Sequence, residues 1–186
     1  MAVSNTVKGH DRRDAIIDAC TKLIVKHGVG EFTFEAAAKV LKVSRPHIRY
    51  YFTSKRDLFL ACFEKVAERG QKETLAELND AHDWKARLVA IINGAFNWYK
   101  KSPDDMTILF IFYHYAAIEP KLAQVHAQTR EVGRKRIESI LLTGLSEHMS
   151  KADAYEYSVE IQNLLTGLMI DMATTRPERT AKHLKS

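Results

Sequence analysis

Signals that start a helix recur along this 186-residue chain at intervals that leave little room for anything else. Asp11, Thr33, Ser44, Ser54, Asp83, the run Ser102-Pro103-Asp104-Asp105, Glu119-Pro120 and Ser150 each supply a capping side chain, a first-turn proline or first-turn carboxylates. Between them apolar residues return at helical spacing and strand-like alternation is absent, with only four prolines and eight glycines to interrupt. An all-α fold follows.

The spacing predicts a first helix starting after Asp11, with Ile16, Ala19, Cys20, Leu23 and Ile24 on one face and Gly28 and Gly30 at its end. Thr33 caps a short helix, Phe34 to Leu41, and Ser44 caps another, Arg45 to Tyr51, where Pro46 is tolerated because first-turn amides lack an intrahelical acceptor. Ser54, with Asp57 in the capping-box position, opens a fourth that buries Leu58, Phe59, Cys62, Phe63 and Val66 and runs to about Asn79. A domain over residues 1–60 and a second over 61–186 are expected, the chain passing between them inside this helix, near Gly70. The polar tail after Pro177 is expected to fray.

Charge separates the same two parts. Residues 1–60 carry 11 Lys/Arg and 6 Asp/Glu and the remainder 17 of each, so the whole formal charge of +5 lies in the first third. From Lys39 to Phe59, six basic residues precede the first acidic one and Tyr50, Tyr51 and Phe52 lie among them. A polyanion is the natural partner of such a stretch, and both nucleic acid and an anionic membrane surface fit. No run reaches the roughly 18–20 apolar residues of a spanning helix and the N-terminus has no signal-peptide core, so a cytoplasmic location is expected. Cys20 and Cys62, each among apolar helix positions, read as packed thiols.

Two short helices joined at Lys42-Val43, behind an amphipathic first helix, have the layout of a helix-turn-helix, whose second helix offers its N-terminal residues to the major groove. Ala38, Val43, Ile48 and Phe52 point inward, leaving Arg45, Pro46, His47, Arg49, Tyr50 and Tyr51 for a ligand. Arg45 or Arg49 can bond guanine O6 and N7, His47 a base edge, and Pro46 a thymine methyl, while Tyr51 and Lys55 suit phosphate oxygens.

The segment FTFEAAAKVLKVSRPHIRYYFTSKRDLF resembles the DNA-binding domain of the TetR family of transcriptional regulators, matching at Thr33, Ala38, Val43, Ser44, Tyr51, Phe52, Ser54, Lys55 and Leu58. The resemblance spans about residues 11–60 and adds Thr33, Lys42 and Ser44 to the DNA-facing set. Lys42, His47 and Arg49 replace residues usual in the family, so no known operator transfers, and Lys42 takes a turn position that glycine reaches more easily. The family implies a homodimeric repressor released from a palindromic double-stranded DNA operator by a small molecule. An activator of the same fold and a non-regulatory helical small-molecule-binding protein are the alternatives.

In the second part, Met106 to Ile118 is apolar almost all round. Phe110, Tyr113 and His114 from this run, with Trp84, Phe96 and Tyr99 before it, can line a cavity for a largely apolar or aromatic effector, or can simply form a core. Apolar positions Leu122, Val125, Val132, Ile137, Ile140, Leu141 and Leu145 on one long helix, and Tyr155, Val159, Ile161, Leu164, Leu165, Leu168 and Met172 on the last, suggest a homodimer through a four-helix bundle, with Gly144 and Gly167 at close approaches. No HExxH, CxxC or Gly-rich phosphate loop occurs and the eight histidines are scattered, so no enzyme, cofactor or metal centre is expected. A membrane-surface role lacks a long helix with a Lys/Arg-rich face opposite Trp, Phe and Leu.

Overall fold

The computed structural model describes the backbone of residues 2–175 and the side chains of residues 11–175; the tail after Pro177 lies outside them. Among the described residues there are eight α-helices and no strand: α1 (Ala2–His27), α2 (Phe34–Leu41), α3 (Arg45–Tyr51), α4 (Lys55–Leu78), α5 (Trp84–Lys101), α6 (Pro103–Ala116), α7 (Pro120–Leu145) and α8 (Lys151–Thr174). Two compact units divide within α4: one holds the residues up to Ala67 together with Thr107–Leu109, the other the rest of the described chain.

The N-terminal unit is built on α1 and α4. Ile16, Ile17, Cys20 and Ile24 of α1 are buried, as are Leu58, Cys62, Phe63 and Val66 of α4. The Cys62 thiol donates to the Ile17 carbonyl at 3.7 Å. Burial, with Cys62 beside it, pushes the Cys20 thiol far up, and both unlinked sulfurs are buried. One expectation is overturned: α1 starts at Ala2 and runs through Asp11. Gly9 costs a helix interior only about 1 kcal/mol and no proline precedes Asp11, so nothing there stops the helix.

The short helices have the expected bounds because their caps are local. Thr33 Oγ1 accepts from the Ala36 amide at 3.0 Å. At the other end of α2, the Lys42 amide bonds the Lys39 carbonyl at 3.3 Å and the Val43 amide the Ala38 carbonyl at 3.0 Å, which ends the helix in a Schellman turn. That turn needs a left-handed residue, and Lys42 supplies it at φ 54 and ψ 41. Ser44 stands at the N-cap of α3, but its hydroxyl makes no capping bond. Ahead of α4, Ser54 Oγ accepts from the Asp57 amide at 3.1 Å, and the Asp57 carboxylate accepts from the Thr53 hydroxyl. Bonds from Thr53 and then Ser54 hold the Asp57 carboxyl below its ordinary range.

In the second unit α5, α7 and α8 enclose Ile91, Ile137, Ile140, Leu141 and Ala154. Two glycines permit close packing: a Cβ on Gly94 would come within 2.6 Å of Thr74 Cα, and one on Gly144 within 2.0 Å of the Trp84 indole. α8 starts in a complete capping box between Ser150 and Asp153. The expected dimer set needs correction here. Leu122, Ile137, Ile140 and Leu141 are buried inside this one chain, so they are core rather than interface. Gly144 likewise accommodates the chain's own Trp84.

A non-glycine residue in the left-handed region is strained, while glycine loses more freedom on folding. Lys42→Gly is therefore expected to raise stability by about 0.5–1 kcal/mol, read as a higher urea midpoint at unchanged slope.

Candidate nucleic-acid interface and effector site

α3 is anchored from below and bare above. Ile48 and Phe52 are buried together with Ala38 of α2, and Val43 is half-buried. Arg13 of α1 places its guanidinium 5.1 Å from the centre of the Phe52 ring, a cation–π contact that helps seat the end of α3. On the opposite side Arg45, Pro46, Arg49 and Tyr50 are exposed, Tyr50 to 83%. His47 and Tyr51 are half-buried with their rings edge to face at 5.5 Å, and Tyr51 meets Tyr50 in the same way at 5.1 Å. These contacts stiffen an aromatic ridge that flexible side chains alone would not hold.

Arg45 and Arg49 stand four residues apart and so share a helix face. Arg45 Nε forms an ion pair with Glu35 Oε1 of α2 at 2.8 Å. Lys55 is exposed, yet its ammonium donates to the Val29 carbonyl at 2.9 Å and lies 5.4 Å from the Phe32 ring centre, tying the start of α4 to the α1–α2 loop. Thr33 spends its hydroxyl on the α2 cap, while Lys42 and Ser44 are exposed at the turn. The sequence carries no signal for these contacts of Arg13 and Glu35. Their partners lie 39 and 10 positions away, and no spacing rule links them.

The aromatic residues expected to line one effector cavity fall in different places. Trp84 packs against Gly144 near the end of α7, whereas Tyr113 stacks edge to face on His126 at 4.6 Å. Positions 126 and 144 are 18 residues apart, about 27 Å along α7. Trp84 packs against the core of Ile91, Ile137, Ile140 and Leu141. Tyr99 is buried and donates to the Met172 carbonyl at 2.7 Å, joining α5 to α8. Phe96 and Phe110 are half-buried, and His114 is exposed beside Tyr115.

The imidazole that faces Tyr113 is thus His126, not His114. Its Nε2 is buried without a hydrogen-bond partner. Burial, then the charges of Arg130 and Arg134, hold its pKa below the ordinary histidine value, so the ring is neutral at pH 7. Burial raises the Tyr113 phenol against the opposing pull of Arg130 and Thr166. His126 follows buried Leu122 by one turn, which is the signal in the sequence that it faces inward. An open hollow of about 600 Å³ lined by Lys135, Glu138, Ser139, Leu142, Thr143 and Lys151 contains none of the expected residues.

A second polar cluster fixes α4. Asp105, 3% exposed, accepts from Arg69 Nε at 2.8 Å, from Arg69 Nη2 at 2.5 Å and from Trp98 Nε1 at 2.8 Å. Gly70 leaves the space that the indole occupies, since a Cβ there would sit 2.7 Å from the ring. Among the described residues no group of three or more His, Cys, Asp or Glu could hold a metal, and no helix is long and apolar enough to cross a membrane.

Residues 16–62 match the family model of bacterial regulatory proteins, tetR family. The HTH-type transcriptional regulator BetI of Agrobacterium fabrum (strain C58 / ATCC 33970) is 24% identical over 159 residues, covering 86% of this chain and 75% of that protein. A transcriptional regulator from Saccharomonospora viridis, solved in complex with choline, has a TM-score of 0.77 at 21% identity over 95% of this chain and 94% of its own. The multidrug binding protein EbrR, complexed with imidazole, has a TM-score of 0.65 at 18% identity over 93% and 92%.

Removing the acceptor from the buried cluster leaves Arg69 and Trp98 without it. Asp105→Ala is expected to cost about 3 kcal/mol, measured by chemical unfolding, and Asp105→Asn less because one carbonyl acceptor remains.

Proposed function

We infer that this chain, which belongs to the TetR family of transcriptional regulators, reads a two-fold symmetric operator as a homodimer and leaves it when a small molecule binds beside α6 and α7. That it is a ligand-responsive DNA-binding regulator follows from the family and its relatives.

The observation that carries the reading is the bare face of α3. Arg45, Pro46, Arg49 and Tyr50 are exposed on a helix whose other side is locked by Ile48 and Phe52. An arginine on a fixed helix can present two parallel donors to guanine, while Tyr51 and Lys55 reach for phosphate. A membrane surface is disfavoured, since α3 has only seven residues and no apolar face left to insert.

The dimer rests on α8. Tyr157, Leu164 and Leu168, at i, i+7 and i+11, form an exposed apolar stripe, with Leu164 at 65% exposure. Gly167 beside it has open space where a Cβ would stand. Burying the exposed part of each of these side chains against a second copy contributes roughly 1 kcal/mol, and pairing about a two-fold axis yields a four-helix bundle. Two reading helices so related call for a palindromic site.

Neutral His126, with its unpartnered Nε2 next to Tyr113 and Phe112, suits an apolar or aromatic effector carrying one hydrogen-bonding group. The choline bound by the Saccharomonospora viridis regulator is a poor guide at this position, because Arg130 and Arg134 bear on the imidazole and would repel a cation. Release requires that the effector prefer the non-binding state, in which α4 holds the two reading heads at a different separation. An effector that binds tightly and leaves DNA affinity unchanged refutes this mechanism.

Selection from a random duplex library at near-physiological salt is expected to enrich a two-fold symmetric motif. Arg45→Ala or His47→Ala should change the preferred sequence, whereas Lys55→Ala should weaken all sequences alike and lower the salt slope by about one; uniform weakening by all three would remove the base-reading roles. Leu164→Lys with Leu168→Lys is expected to yield a folded monomer by light scattering, and an unchanged mass would place the interface elsewhere.

A further inference from the structure

We propose that Glu35 is a specificity-determining positioning residue that aims Arg45 at a guanine, so that Arg45 and not Arg49 reads that base. The proposal rests on the DNA-reading role of α3.

The Arg45 guanidinium has several N–H groups arranged around a plane. Glu35 Oε1 forms an ion pair with Arg45 at Nε, 2.8 Å away, rather than at the two terminal nitrogens, which remain a pair of parallel donors. That pair matches O6 and N7 of guanine. Arg45 is the first residue of α3, where recognition helices approach base edges. Glu35 is held in turn, because it lies in the first turn of α2, whose start is fixed by the Thr33 cap and whose end is fixed by the Lys42 turn.

The pair has little value for stability. Both side chains are more than half exposed, 54% for Arg45 and 60% for Glu35, and exposed ion pairs contribute little to folding. Its effect falls on geometry: a long side chain that would sample many rotamers is confined before DNA arrives, and an accessible negative charge disfavours loose association with phosphates. Glu35 therefore lowers affinity for random duplex while raising discrimination.

The test compares selected motifs for the wild-type homodimer, Glu35→Gln, Arg45→Ala and the double variant, with affinity for the selected and for random duplex measured at fixed salt. Glu35→Gln is expected to lose about tenfold in discrimination at one symmetric pair of guanine positions, to bind random duplex at least as tightly as wild type, and to melt at the same temperature. In the Arg45→Ala background the same substitution should leave the motif unchanged. Full wild-type preference in Glu35→Gln overturns the proposal. So does a motif change that persists without Arg45, which would mean that Glu35 contacts a base itself. If wild-type protein enriches no motif, the DNA-reading assignment fails first and the role of Glu35 falls with it.

Discussion

A carboxylate inside an apolar helix bundle is tolerated only when donors surround it, and Asp105 has three: two from Arg69 and one from Trp98. This requirement organises α4, α5 and α6 of the second unit. The indole can reach the carboxylate only because residue 70 has no side chain, and Arg69, the neighbouring residue, is aimed by the same turn of α4. α4 is thus held by charge in one unit and by the apolar stripe of Leu58, Cys62 and Val66 in the other. It is one continuous helix from Lys55 to Leu78.

Much of the reading head was legible in the sequence because its determinants are local. Thr33, Ser54 and Asp83 each act on an amide three residues away, and α2 and α3 have the bounds that capping and first-turn proline rules give. The left-handed turn at Lys42 was legible only through the family resemblance, in which glycine is usual at that position. The start of α1 was not, since a favourable cap at Asp11 does not end a helix that already runs into it from upstream.

The second unit was harder, and the difficulty has a physical cause. α6 is apolar nearly all round, so periodicity could not tell which of its polar residues faces inward; Tyr113 is half-buried and His114, its neighbour, is exposed. Composition likewise could not show that Trp84 and Tyr113 meet α7 at opposite ends. Apolar positions of α7 were assigned to an interface, but α5 and α8 of the same chain cover them. A set of polar contacts fixes that arrangement: Arg130 donates to Thr166 and Asn163, Gln162 to the Arg130 carbonyl, and Arg134 to Gln162. With α7 and α8 pinned in that register, Leu164 and Leu168 are left outside.

The two sulfurs packed between α1 and α4 have a practical consequence. Cys20 and Cys62 are the only cysteines in the chain, and both are fully buried, out of reach of solvent. Towards thiol-directed reagents the native protein is therefore nearly silent. One cysteine placed on the exposed side of α3 would carry a spin label or fluorophore with little background, and in a two-fold assembly it would appear twice. The distance between those two labels is the quantity that an operator and an effector are expected to set in opposite directions.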